Sequence, residues 1–164
     1  MVFTLRVPKQ PDGATPPLDG SLPAAALASL SKRKFGLYLH VPFCAKRCGY
    51  CDFNTYTATE LAGFTAANWP AAILAELELA NKVLGELPEI STIFIGGGTP
   101  SMLAPGEYEN IFSKISHKFA PDIEITLEAN PDSVTKSSLQ GYFDLGINRI
   151  SFGMQSAAKN VLQV

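Results

Sequence analysis

The sequence predicts an α/β protein in which parallel strands alternate with helices. Three features carry that expectation. Apolar runs of strand length recur along the chain. Stretches with apolar residues at helical spacing lie between them. The segments rich in glycine, cysteine or polar residues each follow a strand. Such alternation points to βαβ units with right-handed crossovers, and parallel sheets build their ligand sites at strand ends. The 164 residues suffice for one domain with a core, but not for a complete eight-fold barrel of about 250 residues.

Residues 1–34 carry Pro8, Pro11, Pro16, Pro17 and Pro23. Each proline fixes φ and removes a backbone donor, so an irregular extension is expected, with a short helical turn around Ala24–Leu30. Residues 35–164 form the α/β region. Leu37–Val41 is the first strand, stopped by Pro42, and Phe43–Tyr56 is a cysteine-bearing loop. A helix over Thr65–Leu84 places Ile73, Leu77, Ala80 and Leu84 on one face, and Gly85 and Pro88 end it. Thr92–Ile95 is the second strand, followed at once by Gly96, Gly97 and Gly98. Pro105 opens a second helix whose apolar face is Tyr108, Ile111, Phe112, Ile115 and Phe119, closed by Pro121. Ile123, Ile125 and Leu127 alternate with Glu124 and Thr126 in the third strand. Thr135 is the N-cap of a third helix carrying Leu139, Tyr142 and Phe143 and ending at Gly146. Ile147–Gly153 is the fourth strand, and Ala157–Val164 begins a fourth helix.

Composition narrows the function classes. A hydrophobic content of 46% excludes a disordered chain. Thirteen basic against fifteen acidic residues give a net charge of −2, which argues against a nucleic-acid binder driven by phosphate neutralisation. No apolar run approaches about 18 residues, so no membrane span is predicted. Leu22–Leu30 has the composition of a signal-peptide core, yet Lys32, Arg33 and Lys34 follow it instead of preceding it. It reads as non-secretory. The three cysteines, Cys44, Cys48 and Cys51, are an odd, tightly clustered set that suits a metal better than disulfides. Reduced thiols suit the cytoplasm, which is the expected compartment.

The cysteines form a C-x3-C-x2-C pattern on one loop. Thiolates suit iron–sulfur clusters and zinc. A 4Fe–4S cluster held by three cysteines keeps one iron open to a small molecule. The alternative is a structural zinc site with His40, four residues before Cys44, as fourth ligand. His40 otherwise reads as a packed, hydrogen-bonded strand residue, and His117 as solvated. Lys46 and Arg47 would favour deprotonated thiols. Gly96–Gly98 lets backbone approach a ligand closely. No Lys-Ser/Thr follows it, so it is not a phosphate loop.

The run Leu39-His40-Val41-Pro42-Phe43-Cys44 through Cys51-Asp52-Phe53 resembles the radical S-adenosylmethionine (SAM) superfamily. Within it, the likeness is to the oxygen-independent coproporphyrinogen III oxidase family and its heme-chaperone-like branch. Three further segments match in order: FIGGGTPS from Phe94, LEANP from Leu127 and NRISFGMQS from Asn148. The resemblance covers about Leu37–Val164. It implies a partial radical SAM (β/α) barrel, about the first three and a half βα units. It also implies a 4Fe–4S cluster on Cys44, Cys48 and Cys51, with S-adenosylmethionine chelating the fourth iron.

One electron from a donor would then cleave the sulfonium to a 5′-deoxyadenosyl radical. By the same resemblance Tyr50 packs near the adenine, Gly96, Gly97, Gly98 and Thr99 meet the methionine moiety, Glu128 binds the ribose and Gln155 lines the pocket. Asn130 and Arg149 are given no chemistry, and no catalytic residue is assigned. Porphyrin or heme is the implied further ligand.

The oxidases typically carry another cysteine where this chain has Phe53, which favours the heme-chaperone-like branch. Oxidative decarboxylation of coproporphyrinogen III and a zinc-stabilised module remain the alternatives. The superfamily barrel usually runs to six βα units. The chain is therefore expected to be a portion of such a barrel, as a fragment, an interrupted reading frame or half of a split protein, with exposed sheet edges, poor solubility or reliance on the missing half, and no activity alone.

Overall fold

Val, Ile and Leu alternate along four segments, and all four become strands of one parallel sheet. The computed structural model describes residues 15, 17–57, 60, 61 and 63–161. The strands are β1 (Phe35–Val41), β2 (Ile90–Gly97), β3 (Phe119–Ala129) and β4 (Arg149–Phe152), and they lie side by side in the order of the sequence. The helices are α1 (Ala24–Ser29), α2 (Trp69–Leu84), α3 (Gly106–Ile115) and α4 (Lys136–Asp144). Leu39 and Val41 of β1, Ile93 and Ile95 of β2 and Ile125 and Leu127 of β3 share one core with residues of α2, α3 and α4. Those three helices therefore cover one face of the sheet. Sequential strand order with helices on one face is the winding of a barrel; a doubly wound sheet would reverse direction part-way.

Register sets which residues share the opposite, inner face. His40 pairs with Gly96, Leu127 with Ile95 and Ser151 with Glu128. Because side chains alternate, His40, Gly96, Glu128 and Ser151 form one row across the inner face, and Tyr38, Phe94, Thr126 and Arg149 form the row below. Tyr38 stacks on Phe94 at 6.2 Å and 18°. Arg149 donates to the Thr126 hydroxyl at 3.2 Å and lies 3.8 Å from Glu124. This face is partly open: Tyr38 is 57% exposed, whereas Thr126 beside Arg149 is buried. β1 and β4 are the sheet edges.

β1, β2 and β3 run longer than alternation alone predicted, whereas β4 is shorter, Arg149–Phe152 in place of Ile147–Gly153. Two helix boundaries differ as well: α2 starts at Trp69 after a 3-10 turn at Ala66–Asn68, not at Thr65, and the end of α3 comes earlier. Helix α3 ends at Ile115, after which Ser116–Lys118 forms a 3-10 turn and Phe119 heads β3. Phe119 therefore belongs to the sheet, and Pro121 is a strand residue and not a helix stop. It falls where the β2–β3 register shifts, between the pairs Ile90–Phe119 and Thr92–Glu124. A missing N–H costs no ladder bond at such an irregularity. The expected helix from Ala157 is absent as far as Val161, where the chain forms only a turn; residues 162–164 lie outside the described residues. Of the apolar residues on α4, Tyr142 is buried in the core and the adjacent Phe143 is exposed. In the extension, α1 and a 3-10 turn at Leu30–Lys32 match the expected helical turn. Pro8, Pro11 and Pro16 lie outside the described residues. No described helix is long and apolar enough to cross a membrane.

The start of α4 follows the sequence signal closely. The Thr135 hydroxyl accepts from the Ser138 N–H at 3.1 Å, and the Ser138 hydroxyl accepts from the Thr135 N–H at 2.9 Å. This reciprocal box satisfies two otherwise orphaned donors. Thr135→Ala is expected to lower stability by about 1 kcal/mol. Urea unfolding midpoints of the two proteins, compared at unchanged slope, measure it.

Candidate functional site at the strand ends

The candidate residues gather at the C-terminal ends of β1, β2 and β3. β1 runs directly into the cysteine loop. That loop is tied back at its far end by a short parallel bridge between Phe43 and Tyr56. The Cys44 N–H donates to the Tyr56 carbonyl at 2.9 Å, and the Tyr56 N–H to the Pro42 carbonyl at 2.7 Å. Inside the loop, the Cys51 N–H donates to the Cys48 carbonyl at 3.1 Å. Arg47 braces it, donating to the Thr55 carbonyl at 2.9 Å and pairing with Glu60 at 3.5 Å. Hydrogen bonds from Thr57, and then the Arg47 charge, hold the Glu60 carboxyl below its usual range.

All three cysteines are free thiols; Cys44 and Cys51 are half-buried and Cys48 is exposed. Among the described residues, no three His, Cys, Asp or Glu side chains converge closely enough to form a finished metal site.

The glycine run after β2 meets the first cysteine. The Gly98 N–H donates to the Val41 carbonyl and the Thr99 N–H to the Phe43 carbonyl, both at 2.7 Å. A Cβ on Gly98 would lie 2.4 Å from the Phe43 oxygen and 3.0 Å from the Cys44 sulfur. Thr99 points its hydroxyl at that sulfur from 3.9 Å. Gly97 has φ of 117°, a conformation that favours glycine, and a Cβ there would collide with the His40 ring. Its N–H donates to Glu128 Oε2 at 3.2 Å. Three strand ends thus converge: Cys44 from β1, Gly96–Thr99 from β2 and Glu128 from β3. Tyr50 is not drawn in; it is 67% exposed. Gln155 is also exposed, three residues past β4.

His40 has the hydrogen-bonded role and not a ligand's. Its Nε2 lies 2.7 Å from the Asn54 carbonyl, which can only accept, so Nε2 carries the proton. Its Nδ1 then accepts from the Tyr38 hydroxyl at 3.1 Å. Neither nitrogen is left for a metal. Burial, and then the Glu128 charge, push the Tyr38 phenol up. His117 is exposed on a 3-10 turn, as expected.

Sequence reading gave no role to Ser101, which joins two loops. Its hydroxyl accepts from the Asn130 N–H at 3.1 Å and bonds the Ser133 hydroxyl. A buried serine is a weak sequence signal, and only its place directly after Thr99-Pro100 could have marked it. Asn130, given no chemistry from the sequence, makes a local turn: its side chain accepts from the Asp132 N–H at 2.9 Å.

The sequence profile of the radical SAM superfamily matches residues 38–164. The chain belongs to the radical SAM superfamily. It is 45% identical over 138 residues to a heme chaperone HemW of Mycobacterium tuberculosis, covering 83% of this chain and 35% of that protein. It is 36% identical over 130 residues to the heme chaperone HemW of Escherichia coli, covering 77% and 33%. Among solved structures, the coproporphyrinogen III oxidase HemN of Escherichia coli, described as a radical SAM enzyme, superposes with a TM-score of 0.72. It shares 27% identity and covers 85% of this chain and 32% of that one. The chain thus spans about a third of the length of these relatives. The likeness, the sequential parallel sheet and the one-sided helices agree on a partial radical SAM barrel.

The radical SAM donor set fits an iron–sulfur cluster in kind. Three unpaired thiols lie on one loop, and two of them have threonine hydroxyls nearby, Thr99 at Cys44 and Thr55, 3.8 Å away, at Cys51. Such hydroxyls could donate to thiolate sulfur. The glycine backbone leaves open the space beside Cys44 that any side chain would fill.

Proposed function

We propose that this chain holds a 4Fe–4S cluster on Cys44, Cys48 and Cys51 and binds S-adenosylmethionine across the ends of β1, β2 and β3, as a heme-chaperone-type member of the superfamily. The observation that carries this reading is the meeting of Gly98 and Thr99 with Cys44, which sets a side-chain-free backbone against a cluster-type loop. When bound, the cluster and S-adenosylmethionine supply one-electron cleavage of a carbon–sulfur bond, with the electron delivered by a donor. The chain's own residues do the holding. Gly96, Gly97, Gly98 and Thr99 admit the methionine moiety. Glu128, fixed by the Gly97 N–H through one oxygen, offers the other to ribose hydroxyls. Tyr50 and Gln155, exposed without ligand, would close on the adenine side. Heme or porphyrin is the further ligand, and the cytoplasm is the compartment.

Two things support the chaperone over the oxidase: the HemW names of the sequence relatives, and Phe53 where an oxidase typically has a cysteine. The test is anaerobic reconstitution with iron and sulfide. We expect close to four irons and four sulfides per chain by the stoichiometry of such a cluster, and S-adenosylmethionine cleavage on reduction. Heme transfer to an acceptor, without conversion of coproporphyrinogen III to protoporphyrinogen, would select the chaperone; conversion would select the oxidase. Zinc in place of iron and sulfide after anaerobic isolation would reject both.

A further inference from the structure

Three large aromatic residues lie beneath the strand ends, one from each of three successive helices. They are Trp69 of α2, Tyr108 of α3 and Tyr142 of α4, at 2%, 0% and 1% exposure. They stack edge to face in a row: Trp69 on Tyr108 at 5.5 Å and 73°, Tyr108 on Tyr142 at 6.2 Å and 71°. Each gives its one polar hydrogen to a backbone carbonyl near the strand ends. Trp69 Nε1 donates to the His40 carbonyl at 2.7 Å, just before the cysteine loop. The Tyr108 hydroxyl donates to the Pro100 carbonyl at 2.8 Å. The Tyr142 hydroxyl donates to the Leu103 carbonyl at 2.6 Å.

Pro100 and Leu103 follow the glycine run, and His40 pairs with Gly96 from the neighbouring strand. Pro100–Met102 is a 3-10 turn, and Pro100 and Ser101 are buried. A buried aromatic residue ordinarily finds some partner for its polar atom, so one such bond would mean little. Three in a row, one to the strand that enters the cysteine loop and two to the turn that follows the glycine run, are a common foundation. Tyr108 is held in its neutral, donating form, because burial pushes its phenol far up, with Tyr142 and Glu107 adding to it.

We propose that Trp69, Tyr108 and Tyr142 are positioning residues. Tyr108 and Tyr142 through the Pro100 and Leu103 carbonyls, and Trp69 through the His40 carbonyl at the end of β1, fix the Gly96–Ser101 backbone against Cys44, so that S-adenosylmethionine is bound by a loop already in place. This rests on the proposed site at Gly96–Thr99. A preformed loop binds more tightly because its ordering cost is met on folding and not on binding.

The experiment uses Tyr108→Phe and Tyr142→Phe in the full chain. Each keeps the ring and removes the donor. The first arm is hydrogen exchange on the chain without cofactor. The Met102 and Leu103 amides, which donate to the Thr99 and Pro100 carbonyls, should exchange faster in both variants. Amides in the middle of α2 should not. The second arm is titration of the reconstituted protein with S-adenosylmethionine, followed by the change it causes in the reduced cluster's electron paramagnetic resonance. The dissociation constant should rise roughly tenfold, the change expected for one lost buried hydrogen bond, at unchanged iron content.

Faster loop exchange with unchanged affinity would overturn the positioning role. So would unchanged exchange in both variants. A parent protein that binds no S-adenosylmethionine would sink the reading of the site itself, and the positioning role with it. The exchange arm would still report whether the aromatic row holds the loop.

Discussion

Cys48→Ala should lose nearly all bound iron and sulfide on anaerobic reconstitution, while the sheet stays folded. Cys48 is the exposed member of the three thiols, and neither the core nor any strand pairing uses it. Its removal therefore costs little packing. Losing a residue that merely supports a ligand weakens a metal site by about 10–100-fold, and losing a ligand outright should exceed that. Two thiolates then remain for a cluster that needs three from this loop. Iron and sulfide analysis, with the visible absorbance of the reconstituted protein, reads the result. Retention of more than half the parent's iron would contradict the ligand assignment. An unchanged far-ultraviolet circular dichroism spectrum separates ligand loss from unfolding.

Gly98→Ala should fail for a different reason. The new methyl would lie 2.4 Å from the Phe43 oxygen and 2.9 Å from its carbonyl carbon. Both are backbone atoms, so no side-chain rotation relieves the clash. The strand end and the cysteine loop must part. Parting them breaks the Thr99 N–H bond to Phe43 and carries Cys44 away from the glycine run. The expected cost is about 1–3 kcal/mol of stability, the range for forcing one extra carbon into a packed position, together with at least about tenfold weaker S-adenosylmethionine binding. Gly106→Ala is the control. It is the first residue of α3, and a Cβ there meets nothing within 4 Å. That substitution should be neutral or slightly stabilising. If both variants bind the cofactor as the parent does, the close approach at Gly98 has no functional consequence.

Local chemistry made much of this fold legible. Thr135 is the N-cap that its residue type suggested, and the alternating apolar residues Leu39, Val41, Ile93, Ile95, Ile125 and Leu127 lie in the core. The boundary after α3 misled because Ile115 and Phe119 are four apart, a spacing that suits a helix whether or not the helix continues. Periodicity cannot see a strand beginning in phase with the helix before it. Pro121 then looked like a stop signal, whereas the sheet accommodates it at a register shift.

In the site, Gly97 and Gly98 were legible because a positive φ and a close backbone approach suit only glycine, and the cysteines stood out by their spacing. Arg47 on Thr55, His40 on Asn54 and Ser101 on Asn130 were not. Each is a common polar residue whose partner is chosen by tertiary approach.

Trp69 is the single tryptophan of the chain. Its buried indole bonds the end of strand β1 just before the cysteine loop and lies edge-on to Tyr108. Its fluorescence is consequently an optical gauge of the junction between scaffold and site, with no other indole to blur the signal. A red shift on denaturation would mark the loss of the core. A change in intensity without a shift, as iron and sulfide are added, would mark rearrangement at the loop alone. The same buried ring thus makes assembly of the site something that can be watched in real time without a label.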